Sequence, residues 1–246
     1  MPQVVGALLA GVILGPAVLN VLSETEFIQK LAELGVIVLM FTAGLETDIN
    51  QLKKTGKASF IIAVLGVIIP LAGGFFIASI FNKGNDVNAI LQNVFIGIIL
   101  TATSVSITVE TLKEMGKLNT RAGNAILGAA IIDDILGIIA LTITTSLADP
   151  SINVIIVLAK IVMFFIFAGL AGYLFHWAFI KLDERYQRDL RRFVILAFVF
   201  CLLLSFSAEE FFGVADITGA FIAGLVISDS NRSKYLNSRF ETLSYM

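Results

Sequence analysis

The sequence predicts an all-α integral membrane protein, and three observations carry that prediction. Hydrophobic residues make up 57% of the 246-residue chain and charged residues only 15%, far from the balance of a soluble domain. Runs of roughly 20 apolar residues, enough to cross a hydrocarbon core of about 30 Å, recur along almost the whole length. These runs lack the strict alternation of membrane β-strands, and a helix satisfies its own backbone polar groups in lipid. The chain therefore reads as a single membrane domain, 1-246, with no room inside it for a soluble one.

Eight spans follow in order. The first covers about 3 to 20 and stops before the polar Ser23-Glu24-Thr25-Glu26. The second, 28 to 45, stops at Glu46, and the third, 57 to 81, follows Lys53, Lys54 and Lys57. The fourth, 88 to 112, ends at Lys113, and the fifth, 122 to 146, begins after Arg121. The sixth, 152 to 180, lies between Asp149-Pro150 and Lys181. The seventh, 192 to 208, runs from Arg191-Arg192 to Glu209, and the eighth covers 216 to 229. Charged and turn-forming residues punctuate every boundary, because a charge is costly in the hydrocarbon and cheap at its edge.

The formal net charge is −2, and the basic residues flank the spans instead of forming one patch for nucleic acid. Cys201 is the chain's single cysteine and sits inside a span, which excludes an internal disulfide and fits a small apolar residue. His176 is equally solitary. Beside Tyr173 and Trp177 near a span end, it reads as part of an interfacial aromatic belt and not as a metal ligand.

In an eight-span arrangement Lys53, Lys54, Lys57, Lys113, Lys117, Arg121, Lys181, Arg185, Arg188, Arg191, Arg192, Arg232, Lys234 and Arg239 fall on one side. Only Lys30, Lys83 and Lys160 fall towards the other. The excess of positive charge places both termini in the cytoplasm of a multi-pass protein of the inner or plasma membrane. Glu24, Glu26, Glu209 and Glu210 then read as solvated acids of the outer loops.

Two stretches share a pattern. "VVGALLAGVILG", residues 4 to 15, and "ITGAFIAGLVIS", residues 217 to 228, both carry G-A-x-x-A-G: Gly6, Ala7, Ala10 and Gly11 answer to Gly219, Ala220, Ala223 and Gly224. Small residues at this spacing allow close helix approach, so two unrelated packing faces are one explanation. The alternative is an inverted repeat, since the first span runs outward and the eighth inward, as in many secondary transporters.

The chemistry concentrates in "GAAIIDDILGII", residues 128 to 139. Asp133 and Asp134 lie about eleven residues from either end of the fifth span, near the bilayer midplane, where an ionisable residue is a functional hypothesis by default. Neighbouring helical residues point about 100° apart, so the pair cannot chelate one ion symmetrically and its members need different partners. Two carboxylates about 6 Å apart repel by about 3 kcal/mol at an effective dielectric near 20, a repulsion that a proton or a cation relieves. The bland reading is a protonated or hydrogen-bonded pair that packs against other helices. In the fourth span "LTATSVSIT", residues 100 to 108, brings Thr101, Thr103, Ser104, Ser106 and Thr108 to membrane depth. An ordinary helix with back-bonded hydroxyls is one reading. The other is a helix unwound at this stretch, whose carbonyls and hydroxyls line a site for a hard cation such as sodium. Asp134 and Thr103 are then the candidate Na+ ligands, with Asp133 and Ser104 completing the cation and proton site.

With these residues in place the chain resembles bacterial cation/proton antiporters of the NapA and Kef types over nearly its whole length. "MPQVVGALLAGVILGP" resembles their first core-repeat helix, "LAELGVIVLMFTAGLETD" their second, "TATSVSIT" their unwound helix, "AAIIDDILG" their ion-binding helix and "GAFIAGLVIS" a later helix. The resemblance implies alternating-access exchange of a monovalent cation, Na+ or K+, for protons by an elevator-like motion. It also implies no enzyme activity and no cofactor beyond the transported ions. It implies a homodimer, with ion-binding core helices in 57-146 and scaffold and dimerisation helices in 1-45 and 152-229. Asp134 would bind cation and proton alternately, and Asp133 would pair with a lysine of a later helix. Two acids in place of one imply electrogenic exchange. Relatives usually have one helix before this start and four or five after "GAFIAGLVIS", so the reading expects a chain incomplete at both ends. On that expectation the C-terminal helices needed for a complete transport site are missing, and the chain should not exchange ions by itself.

Two other classes compete. An intramembrane aspartyl protease needs its acids on separate helices around one water, whereas Asp133 and Asp134 are neighbours on one helix; Asp216 lies at a span's outer edge. A cation channel or a non-transporting sensor on an antiporter scaffold shares every feature above, and flux independent of a proton gradient would mark the channel.

Overall fold

The computed structural model describes residues 3–23, 25–84, 87–148, 153–185, 190–230 and 232–244. Glu24 and Arg188, which entered the charge argument, lie outside the described residues. Among these residues the chain forms ten helices and no strand: α1 Gln3–Leu14, α2 Glu26–Glu46, α3 Ile49–Phe81, α4 Val87–Ile99, α5 Val105–Glu114, α6 Arg121–Ala148, α7 Val154–Arg185, α8 Leu190–Phe212, α9 Asp216–Ser228 and α10 Ser233–Ser244. Five of them, α2, α3, α6, α7 and α8, contain a segment long and apolar enough to cross a membrane, and α1, α4 and α9 are shorter apolar helices.

Several boundaries move from their expected places for local reasons. Helix α1 stops at Leu14 instead of running to residue 20, because Pro16 disfavours helical backbone in the residue before it. Helix α3 starts eight residues early: the Asp48 carboxylate accepts hydrogen bonds from the Asn50 and Gln51 amides at 2.8 and 3.4 Å and caps it. Its charged first turns thus extend the apolar part instead of forming a loop. The fourth span is two helices, α4 and α5, separated by residues 100–104. Helix α10 lies beyond the last expected span, 216 to 229. Leu236 and Phe240, one turn apart, are buried at 0% and 1% exposure, and the Phe240 ring meets Phe41 edge-on at 5.1 Å. A twelve-residue amphipathic helix escapes a search for spans of membrane length.

Packing falls into two groups joined by few contacts. In the first, α2 crosses α9 where Gly44 and Gly224 meet: a Cβ on Gly224 would strike the Phe41 carbonyl oxygen, and one on Gly44 the Phe221 carbonyl oxygen. Helix α8 closes on α9 at Gly219, whose Cβ would lie 2.6 Å from the Leu204 carbonyl oxygen. Between lipid-embedded helices there is little hydrophobic drive, so such backbone approach, with its dispersion contacts, is what binds them. In the second group, α3 lies along α6, where Ser59 Oγ donates to the Ala125 carbonyl at 3.0 Å and sits 2.7 Å from where a Gly128 Cβ would be. Helix α3 also meets α4 where Gly74 faces Gly97. Helix α7 leans on the first group through a Phe175–Phe200 stack at 3.9 Å.

Candidate functional site

The break between α4 and α5 is built from hydroxyls. Thr101 Oγ1 donates to the Ile98 carbonyl at 2.8 Å, Thr103 Oγ1 to the Thr101 carbonyl at 3.2 Å, and Thr108 Oγ1 to the Ser104 carbonyl at 2.9 Å. Ser104 restarts the helix as N-cap, accepting from the Ile107 amide at 3.4 Å. Side chains therefore take up backbone groups that the lost turn leaves open, as irregular backbone in a membrane requires. The unwound part is shorter than the 100 to 108 expected: helix resumes at Val105 because Ser104 caps it.

Helix α6 presents its two acids differently. Asp133 is buried, at 9% exposure, and its Oδ1 has no hydrogen-bond partner among the described residues. It faces a cavity of about 150 Å³ lined by Ile62, Ala63 and Gly66 of α3, Thr103, Thr108 of α5, and Ile126, Ala129 and Ala130 of α6. Thr103, whose hydroxyl donates to the Thr101 carbonyl, lines the same cavity. Asp134 is half-buried and is not part of that lining, as expected of adjacent positions on a helix. Ser104 is exposed and acts as a cap, outside the lining. Of the four residues singled out, the structure thus brings Asp133 and Thr103 together, with Asp134 alongside and Ser104 set apart.

Sequence reasoning missed Gly66 and Ala63. A Cβ on Gly66 would lie 3.8 Å from Asp133 Oδ1, so this glycine leaves room beside the carboxylate. The signal was available: Ala63 and Gly66 are one turn apart, as small as Ala129 and Ala130 opposite them. A polar junction was missed as well. Lys113 Nζ of α5 lies 3.9 Å from Glu46 Oε1 at the end of α2, and Asn237 Nδ2 of α10 donates to the same oxygen at 2.9 Å. No short-range pattern announces that junction.

The cavity offers only oxygen and apolar carbon, and among the described residues no group of three His, Cys, Asp or Glu side chains is placed to hold a metal. A buried carboxylate oxygen with no partner among the described residues, in a cavity shared with Thr103 and Thr108, suits a weakly held hard monovalent cation, or a proton in its place. The family profile described as "Sodium/hydrogen exchanger, transmembrane" matches residues 1–245. The chain belongs to that family. It is 37% identical over 248 residues to the probable Na(+)/H(+) antiporter GerT of Bacillus cereus, covering 99% of this chain and 64% of that protein. To the Na(+)/H(+)-K(+) antiporter GerN of the same organism it is 37% identical over 250 residues, covering 99% of this chain and 62% of GerN. An Na(+)/H(+) antiporter of Enterococcus hirae is 34% identical over 252 residues, covering 100% of this chain and 63% of that protein. The chain thus spans less than two thirds of these relatives' length. This exchanger family is one of transporters and not of enzymes, and its multi-pass, helical character accords with the apolar helices here.

Proposed function

We propose that the protein carries out secondary active exchange of a monovalent cation, Na+ first and K+ second, for protons by alternating access. The observation that carries this reading is the helix break at residues 100–104 beside the buried acid of α6. A carboxylate that takes either a proton or a cation, but not both, couples the two fluxes without any further device. The resemblance carried by "AAIIDDILG" makes Asp134, the next residue of α6, the exchanging acid, while the cavity beside the break is lined by Asp133; Ser104 holds the end of α5, and the pair together makes exchange electrogenic. The printed names of the relatives, which include Na+/H+ and Na+/H+-K+ antiporters, support the choice of ions.

In this reading residues 57–146 are the moving ion-binding core, and 1–45 with 152–229 are scaffold. The close packing of α3 on α6 and α4, separate from that of α2, α8 and α9, supports the division. The protein is a homodimer in the inner or plasma membrane, with the Lys53 and Arg239 side in the cytoplasm, a reading supported by the charge bias. The exposed face of α1, with Leu8 at 57% and Val12 at 55% exposure, supports its place in the dimer scaffold.

The test is cation-driven proton movement in proteoliposomes that hold the full-length exchanger. Asp134→Asn abolishes exchange, and Asp133→Asn leaves partial or altered activity. Full exchange by the Asp134 variant would overturn the assignment of the carrier. Cation flux that ignores the proton gradient would overturn exchange itself.

A further inference from the structure

One face of α7, near its C-terminal end, gathers Tyr173, His176, Trp177, Ile180 and Lys181 around a pocket of about 380 Å³. Their spacing of three and four residues puts them on a single strip. Tyr173 is 72% exposed and Trp177 57%, a large aromatic area for the lipid boundary. Lys181 Nζ lies 4.8 Å from the centre of the Trp177 ring, which holds the ammonium over the indole. His176 Nδ1 is 2.9 Å from the Val226 carbonyl oxygen of α9. A carbonyl only accepts, so Nδ1 donates to it and ties His176 to α9. The strip is firmly backed at this point: a Cβ on Gly172 would lie 2.7 Å from Val226 Cγ2.

The donors on this strip are the Tyr173 hydroxyl, the Trp177 indole N–H and the Lys181 ammonium, and among the described residues no acid lines the pocket. Such a set asks for an anion with several acceptor oxygens. The location narrows the choice. Val226 lies two residues before Ser228, which shares a pocket with Glu46, Asp48, Asn50, Lys53 and Asp229, so the strip stands at a polar, charged end of the helices. At a span end the only abundant species with acceptor oxygens above and acyl chains below is a phospholipid, whose phosphate meets the donors while its chains lie along Tyr173 and Trp177. We propose that this strip of α7 binds the headgroup of an anionic phospholipid, with Lys181 and Trp177 as its selective contacts. A belt that only anchors aromatic rings would take zwitterionic lipid equally well, because nothing in anchoring depends on net lipid charge.

Trp177 is the chain's single tryptophan, so its fluorescence reports on this strip alone. The chain is reconstituted in phosphatidylcholine bilayers containing a minor fraction of acyl-brominated phosphatidylglycerol or of acyl-brominated phosphatidylcholine, and quenching is compared. The expected preference for the anionic lipid is about fivefold, the effect of one basic side chain near an anionic surface. Lys181→Gln removes the preference, Lys181→Arg keeps it, and Lys160→Gln near the other end of α7 leaves it unchanged. Equal quenching by the two lipids, or a preference that survives Lys181→Gln, overturns the proposal. Displacement of the lipid effect by inorganic phosphate would instead show a free-phosphate site, and also overturns it.

Discussion

Helices α1 and α9 carry the same G-A-x-x-A-G pattern and meet opposite circumstances. In α9 a Cβ on Gly224 would run into the backbone of α2 and one on Gly219 into the backbone of α8. In α1 neither Gly6 nor Gly11 has any atom within 4 Å of a Cβ placed on it, and Leu8, Leu9 and Val12 stand exposed. One pattern thus marks a tight seam in one place and an open face in the other. Small residues permit close approach, and a partner must still be there to approach.

Four substitutions test the contrast, in falling order of effect. Gly224→Val should cost about 3 kcal/mol or more, since the obstacle is the Phe41 carbonyl, which cannot rotate away. In a thermal melt of the purified chain that loss lowers Tm by about 6 to 12 °C. Gly219→Ala should cost about 2 kcal/mol by the same measurement, because Leu204 and Ser205 present backbone at 2.6 and 2.8 Å. Gly172→Ala should cost about 1 kcal/mol, since its obstacle at 2.7 Å is a Val226 methyl group that can give way. Gly11→Ala should stay within about 0.5 kcal/mol of the parent protein. If Gly11→Ala melts as low as Gly219→Ala, the face of α1 is covered in the folded assembly and the contrast fails. A covered α1 face would also be the expected sign of the proposed dimer, which a cross-link between single cysteines at Leu8, in a Cys201→Ser background, reports directly.

The two acids of α6 make a smaller contrast of the same kind. They are chemically identical neighbours, yet Asp133 faces the Thr103 cavity and Asp134 does not line it. Their divergence was legible in the sequence, because the helix turns by about 100° per residue. Which of them would meet the unwound segment was not, because that depends on how α6 is rotated against α3, and Ser59, Ala125 and Gly128 set that rotation. The hydroxyl-rich stretch could be read as intact or unwound, and the choice also lay outside local sequence. Ser and Thr serve equally to back-bond a continuous helix and to cap a broken one.

The sequence by itself determined that this is a helical membrane protein, the order of its apolar segments, with some ends displaced by up to eight residues, and which acids lie inside an apolar helix. Those properties follow from length, hydropathy and helical period, all local quantities. Only the tertiary structure decided that α1 stands open while α9 is clasped, and that Asp133 shares its cavity with Gly66 and Thr103. It alone decided that α10 folds back onto α2 through Phe240, and that Glu46 meets Lys113 and Asn237 from distant parts of the chain. Each of these depends on which helix faces which. In a chain this uniformly apolar nearly every helix face tolerates lipid or a neighbour, so the choice rests on steric fit at a few glycines and on a few polar contacts.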